Sequence, residues 1–310
     1  GDISGLALSG LETLVTQGSQ IVGTAAQFEV FTSIIYSESD MTTNVNLRLA
    51  AAGTVDLADE LGARAVYFEL SGGADTVTTG IGNDNILGHA GNDVINAGIG
   101  EDYLNGGGDN DILNGGADND SIDGSAGDDS INGEAGGDFL VDNDGTLSIN
   151  GGTGDDYIVI GTGQTGSVNG GMDTDWLYTE NGGDISGITL SGLEMLVTRG
   201  QQIIATAAQF EDFISIIYDG IDTTTGISLR LATAGTVDLA GELGTRAVQF
   251  YLTIGADVVT TGAGGDYIEG YAGDDIISAG IGNDTLYGGD DHDTLNGGAG
   301  NDTIDGGEGN

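Results

Sequence analysis

An aspartate returns every nine residues along two stretches of this chain, and that period leaves few folds open. Gly88-His-Ala-Gly-Asn-Asp-Val-Ile-Asn is followed by Ala97-Gly-Ile-Gly-Glu-Asp-Tyr-Leu-Asn, then by Gly106-Gly-Gly-Asp-Asn-Asp-Ile-Leu-Asn. The acid holds the sixth place at Asp75, Asp84, Asp93, Asp102, Asp111, Asp120, Asp129 and Asp138, in step again at Asp156 and one residue late at Asp175. A second series runs Asp257, Asp266, Asp275, Asp284, Asp293 and Asp302. Two places after each stands an aliphatic residue, from Val77 and Ile86 through to Ile304. Glycines ahead of the acid permit left-handed backbone in a tight turn. The three residues after it make a short strand with one inward apolar side chain. Such a strand buries nothing alone, so successive strands must stack. Two nonapeptides form one coil, with parallel sheets on opposite faces and a row of turns along each edge. The predicted fold is all-β, a parallel β-roll or β-helix solenoid.

A longer period contains the short one. Gly1-Asp-Ile-Ser-Gly-Leu-Ala-Leu-Ser-Gly-Leu-Glu returns as Gly183-Asp-Ile-Ser-Gly-Ile-Thr-Leu-Ser-Gly-Leu-Glu, and Thr24-Ala-Ala-Gln-Phe-Glu as Thr206-Ala-Ala-Gln-Phe-Glu. The offset is about 182 residues in both, the self-similarity at fixed period of a repeat architecture. Four segments follow: 1–71 without the nonapeptide, 72–182 with it, 183–253 as a second copy of the first, and 254–310 as part of a second repeat block. The pattern reads as a window onto a tandem array.

Composition removes several alternatives. Sixty glycines without one proline exclude collagen, and their phase is too regular for a flexible linker. Fifty acidic residues face five basic ones, a formal charge of -45 that repels nucleic acid and anionic membrane surfaces. No cysteine is present, which excludes a disulfide framework, a Cys-type zinc site and thiol catalysis. No apolar span reaches about 20 residues, so membrane insertion is not expected.

The repeat resembles the RTX family, whose Gly-Gly-x-Gly-x-Asp-x-U-x units form a calcium-binding β-roll. The resemblance covers residues 72–178 and 255–310. It implies that calcium lies between neighbouring turns of one edge, held by carbonyls of the glycine turn and by sixth-place carboxylates one coil apart. One edge would run Asp75, Asp93, Asp111, Asp129, and the other Asp84, Asp102, Asp120, Asp138, Asp156. The second block would pair Asp257, Asp275 and Asp293 against Asp266, Asp284 and Asp302. Calcium suits such oxygen-rich, high-coordination sites, whereas magnesium demands a tighter octahedron. On the order of ten ions would bind and bring about +20 of charge. Without them, carboxylates stacked about 5 Å apart in a glycine-rich chain would favour unfolding. Asp109, Asp118, Asp173 and Asp291 replace the fourth-place glycine, and aspartate tolerates left-handed backbone better than most residues. Leu147 and Thr165 take sixth places where the acid is expected, so the coils at about 142–169 are expected to bind no ion.

In residues 1–71 and 183–253 short apolar clusters recur every seven to eleven residues, with strand-like alternation in Val45-Asn-Leu-Arg-Leu49 and Val66-Tyr-Phe-Glu-Leu70. They read as wider, calcium-free coils of the same solenoid. Thr24–Ile34 and Val55–Leu61 admit short helices as an alternative.

Little points to catalysis, and an enzyme is not expected. His89 and His292 do not recur in the other copy, and the acids a glycosidase would need are absorbed by the repeat. Arg48/Arg230 and Arg64/Arg246 do recur; they pair either with local carboxylates or with acidic edges of a neighbouring chain. Trp176 and Tyr178 are expected to cover a core edge. Two functions remain. One is a secreted structural repeat (filament, surface layer or adhesin stalk) that folds and stiffens on calcium and packs against other copies of itself. The other is an accessory RTX module aiding secretion and folding of an enzyme. The long tandem unit favours the first.

Overall fold

The computed structural model describes residues 1–9, 11, 13–16, 19–36, 44–179, 182–219 and 226–309. Residues 1–159 with 166–175 form one compact unit, and 160–165 with 176–310 another. Each is built of parallel sheets, as the period requires. In the first unit, one sheet stacks Ile21–Gly23, Val45–Leu49, Val66–Glu69, Asn85–Leu87, Tyr103–Gly108, Ser121–Ala126, Phe139–Asp142 and Tyr157–Ile160 in that order. A second sheet stacks Thr54–Asp56, Thr76–Ile81, Val94–Ile99, Ile112–Ala117, Ser130–Ala135, Thr146–Thr153 and Thr165–Met172. The second unit repeats the arrangement, for example with Gln202–Ala205, Ile227–Leu231, Val248–Tyr251, Tyr267–Glu269, Thr285–Asp290 and Thr303–Glu308 in one sheet.

Register measures the coils. Leu104 lies beside Ile86 and Ile122, and Leu113 beside Ile95 and Ile131, so each coil is two nonapeptides long. Asn85–Leu87, Tyr267–Glu269 and Thr294–Asn296 have the three residues expected after the acid, and other repeat strands are longer. Ile112–Ala117 runs on through Gly115 and Gly116 because the first-place glycine faces inward and lets the ladder continue. Outside the nonapeptide the coils widen, as expected. Ile21 pairs with Leu47, Val45 with Val66 and Thr54 with Thr76, each a longer step than two nonapeptides. The second copy keeps the same steps, with Gln202 beside Ser228, Ile227 beside Val248 and Thr236 beside Val258.

The extra length is spent on core and on short helices. Residues 45–70 bury Val45, Leu47, Leu49, Val55, Leu57, Leu61, Val66, Phe68 and Leu70, whereas the two nonapeptides of 103–120 bury only Leu104 and Leu113 among their apolar side chains. Phe28 meets Phe68 edge-on with ring centres 6.2 Å apart, and Phe210 meets Phe250 likewise at 6.1 Å. The helical alternative holds for one turn each: α1 is Ala25–Phe28, α2 Ala58–Leu61, α3 Ala207–Glu211 and α4 Ala240–Leu243. The Thr24 and Thr206 N–H groups donate to the Gln27 and Gln209 Oε1 atoms at 2.8 and 2.9 Å, closing capping boxes on α1 and α3. Gln27 Nε2 then donates to the carbonyls of Ile3 and Leu6 at 2.6 and 2.8 Å, which ties α1 to the preceding coil.

The arginines serve this framework. Arg48 pairs with Glu69 at 3.8 Å, the local contact expected of it. Arg64 and Arg246 instead donate through Nη1 to the carbonyls of Leu61 and Leu243, at 3.2 and 3.3 Å, capping the C-termini of α2 and α4. Arg199 lies 5.3 Å from the ring centre of Tyr178. On the strand Trp176–Thr179 Leu177 is fully buried, and Trp176 and Tyr178 are half-buried on the opposite face. Among the described residues no helix is long and apolar enough to cross a membrane.

Phe68 is wholly buried against Phe28. Phe68→Ala should therefore lower stability by about 3–5 kcal/mol. Urea unfolding followed by circular dichroism in calcium checks this, and a loss below about 1 kcal/mol would show that the wide coils lack a packed core.

Candidate metal sites

The sixth-place aspartates fall into the rows that their spacing implies, and one hydrogen bond repeats along each row. The N–H of Asp75 donates to Asp93 Oδ1 at 2.8 Å, Asp93 to Asp111 at 2.7 Å and Asp111 to Asp129 at 2.8 Å. On the other edge Asp84 donates to Asp102 at 2.6 Å, Asp102 to Asp120 at 2.8 Å, Asp120 to Asp138 at 2.8 Å and Asp138 to Asp156 at 2.7 Å. Asp156 donates to Asp175 at 2.9 Å, so the row absorbs the one-residue lag. In the second block Asp257 donates to Asp275, Asp275 to Asp293, Asp266 to Asp284 and Asp284 to Asp302, at 2.8–3.1 Å.

One oxygen of each carboxylate is thus satisfied. The Oδ2 atoms of Asp84, Asp93, Asp102, Asp111, Asp120, Asp129, Asp138, Asp156, Asp266, Asp275 and Asp284 are buried without a hydrogen-bond donor. A buried acceptor left in this state is costly, and more so when it carries charge. The first-place glycines make room for these oxygens. A Cβ built on Gly88, Gly124 or Gly270 would meet Asp93, Asp129 or Asp275 Oδ2 at 2.8, 2.7 and 2.8 Å. Burial pushes the carboxyls up in the metal-free molecule: Asp84, Asp111 and Asp138 to about 6, Asp93, Asp120, Asp156 and Asp275 to about 7, and Asp102 to about 8. Asp129, Asp266 and Asp284 are raised for the same reason.

The turns around these acids adopt the expected backbone. Asp109, Asp118, Asp173 and Asp291, in the fourth place, have φ of 72, 77, 81 and 79°. The second place is left-handed too, and there His89 and Tyr271 take φ of 74 and 73°. Among the described residues no three His, Cys, Asp or Glu side chains converge on one point. A cation at a turn would draw on one carboxylate oxygen from each acid and on turn carbonyls, a donor set of hard oxygens that suits calcium.

Sequence reasoning missed a second row. Fifth-place Asn and Asp side chains accept the N–H of the residue one coil on, as Asn83 Oδ1 does from Glu101 at 3.2 Å, Asn110 from Asp128 at 3.0 Å and Asn119 from Gly137 at 2.8 Å. Asp274 and Asn283 do the same for His292 and Asn301, at 3.0 and 2.9 Å. The recurrence of Asn or Asp just before the sixth-place acid was the available signal. Turns with Asn or Asp in the fifth place are thus tied forward by that residue and backward by the sixth.

The edge that carries Asp156 runs unbroken from Asp138 to Asp175. Only the edge carrying Leu147 and Thr165 loses the acid. There Leu147 is buried, Asp142 Oδ1 accepts the Asp144 N–H at 3.2 Å, and Asp128 Oδ1 accepts the Thr146 N–H at 2.7 Å. Asp75 and Asp257 also stand apart, with both oxygens hydrogen-bonded. Asp75 accepts from Gly53 at 2.6 Å, from the Ser71 N–H at 2.9 Å and from Ser71 Oγ at 2.8 Å.

The raised carboxyls set a pH dependence. Below the ordinary aspartate value of about 3.9 the acids are protonated in folded and unfolded chains alike. Between there and about 8 the unfolded chain ionises first, so the metal-free fold loses stability as pH rises. Chelator-treated protein should keep more β-structure by circular dichroism at about pH 5.5 than at about pH 8. The opposite order would show that the acids are not buried.

Residues 71–104, 105–140, 251–286 and 278–310 match the family model for the RTX calcium-binding nonapeptide repeat, in four copies. No curated protein matches the chain. In the first copy the match ends at residue 140, just ahead of the turn where Leu147 replaces the acid. The parallel β-solenoid, its aspartate rows and this match agree: residues 71–140 and 251–310 are repeats of the RTX calcium-binding nonapeptide family.

Proposed function

We propose that the chain is an extracellular structural repeat protein whose RTX blocks fold and stiffen on calcium. The observation that carries the reading is the buried row of carboxylates, in which Asp84, Asp93, Asp102, Asp111, Asp120, Asp129, Asp138, Asp156, Asp266, Asp275 and Asp284 each hold one backbone N–H and leave the second oxygen without a donor. At neutral pH such a row needs a cation, and calcium accepts a mixed shell of carboxylate and carbonyl oxygens. Asp84, Asp93, Asp102, Asp111, Asp120, Asp129, Asp138, Asp156, Asp175, Asp266, Asp275, Asp284, Asp293 and Asp302 are the ligands in this reading. On the order of ten ions offset nearly half of the -45 charge. Binding to the folded state alone makes calcium a folding ligand.

A structural role rather than a catalytic one rests on where the acids go. The row aspartates and the fifth-place Asn and Asp residues are committed to backbone donors, and the same commitments recur in both copies. An array of such units reaches outward by stacking coils about 4.8 Å apart, and copies of the chain are its natural partners. Extracellular calcium modules commonly bind at about 0.1–1 mM, so secretion and folding would be coupled.

Asp111→Asn keeps an acceptor for the Asp93 N–H but removes the charge. It should reduce the calcium bound by about one ion in calorimetry and raise the midpoint of calcium-induced β-structure. An unchanged ion count would remove Asp111 from the site. Electron microscopy should show long, uniform fibres that depend on calcium. Dispersed monomers under all conditions would favour the accessory-module reading.

A further inference from the structure

The two copies enter their repeat blocks in the same way, and the first acid of each block is unlike those that follow. Asp75 Oδ1 accepts the Gly53 N–H of the wide coil at 2.6 Å, while its Oδ2 accepts the Ser71 N–H and Oγ–H at 2.9 and 2.8 Å. Asp257 Oδ1 accepts the Gly235 N–H at 2.7 Å, and its Oδ2 accepts the Thr253 N–H and Oγ1–H at 2.9 Å each. The side chain changes from serine to threonine between the copies, but the hydroxyl donor is kept. Ser71 and Thr253 are themselves fixed, since the Gly73 and Gly255 N–H groups donate to their hydroxyl oxygens at 3.2 and 3.1 Å. In the first place, where repeats such as those at Gly88, Gly106 and Gly270 carry the glycine facing the acid, stand the buried Leu70 and Leu252.

These acids therefore have protein donors for both oxygens, and their turn is built on apolar burial. Behind them lies the part of each copy with the densest core, including Phe68 and Phe250. Ahead of them the row begins: the Asp75 and Asp257 N–H groups donate to Asp93 and Asp275 Oδ1, both at 2.8 Å. Asp84 and Asp266 make the corresponding link on the other edge, accepting from the Val66 and Val248 N–H groups at 2.8 and 3.0 Å.

We propose that the wide coils stand without calcium and template the first RTX coil of each block, with Asp75 and Asp257 acting as backbone clamps and not as calcium ligands. The proposal rests on the calcium reading above and assigns an order to it. Chain ends of a stacked fold lack a neighbour to pair with, and starting a stack is the costly step. A preformed coil that already presents Asp75 and Asp84 at the register of the next turn removes that step from the calcium-dependent part. Calcium then acts coil by coil, outward from the wide segment.

Hydrogen exchange by mass spectrometry on the full chain, with chelator and then with calcium, tests this. Peptides within 45–70 and 227–252 should stay protected in chelator, while those within 103–140 exchange quickly and become protected only with calcium. Asp75→Ala should leave the number of bound ions unchanged but raise the calcium midpoint of the 103–140 peptides severalfold. Ser71→Ala should shift it in the same direction by less. Asp93→Ala should lose bound calcium. Wide coils that exchange as fast as the repeats in chelator would overturn the template. An ion lost from Asp75→Ala, as from Asp93→Ala, would overturn the clamp. Should calcium protect nothing and Asp93→Ala lose no ion, the calcium reading fails and this proposal falls with it.

Discussion

From Asp84 to Asp156, and at Asp266, Asp275 and Asp284, a row aspartate holds the N–H of the previous coil with one oxygen and buries the other where no donor reaches it. Everything else in the repeat blocks follows from that half-satisfied carboxylate. It joins each coil to the next, so it sets the register in which Leu104 and Leu113 stack on their equivalents. It also leaves a buried charge that the protein itself does not neutralise. Three exits exist: a proton, a cation, or unfolding. With carboxyls raised to between about 6 and about 8, the proton is leaving near neutral pH, and the cation takes over its role.

The wide coils meet the same stacking problem with different means. They bury nine apolar side chains over residues 45–70, cap short helices with Gln27 and Arg64, and among the described residues carry no row of half-satisfied acids. The repeat blocks trade that core for economy of sequence, with one aliphatic side chain per nonapeptide. Their turns are held by sixth-place acids and, where Asn or Asp stands in the fifth place, by that side chain as well.

The stacking period, the two edges and the inward aliphatic column were legible because a solenoid maps sequence position directly onto space. Left-handed backbone at Asp109 and Asp291 was legible for the same reason. What escaped were contacts between coils of unequal length. Nothing in the nonapeptide pattern marks Ser71 as the residue that satisfies Asp75, because the serine belongs to the last wide coil and its partner to the first narrow one.

In the proposed function, calcium sits at the donor-free oxygens of the aspartate rows. Crystals grown in calcium, with anomalous data collected to locate the ion, test it most directly. The account predicts peaks at calcium–oxygen distances of about 2.3–2.6 Å from the carboxylates of Asp93, Asp111, Asp129 and their equivalents on the opposite edge, with turn carbonyls completing each shell. Intact turns with no anomalous peak within bonding distance of those carboxylates would contradict it.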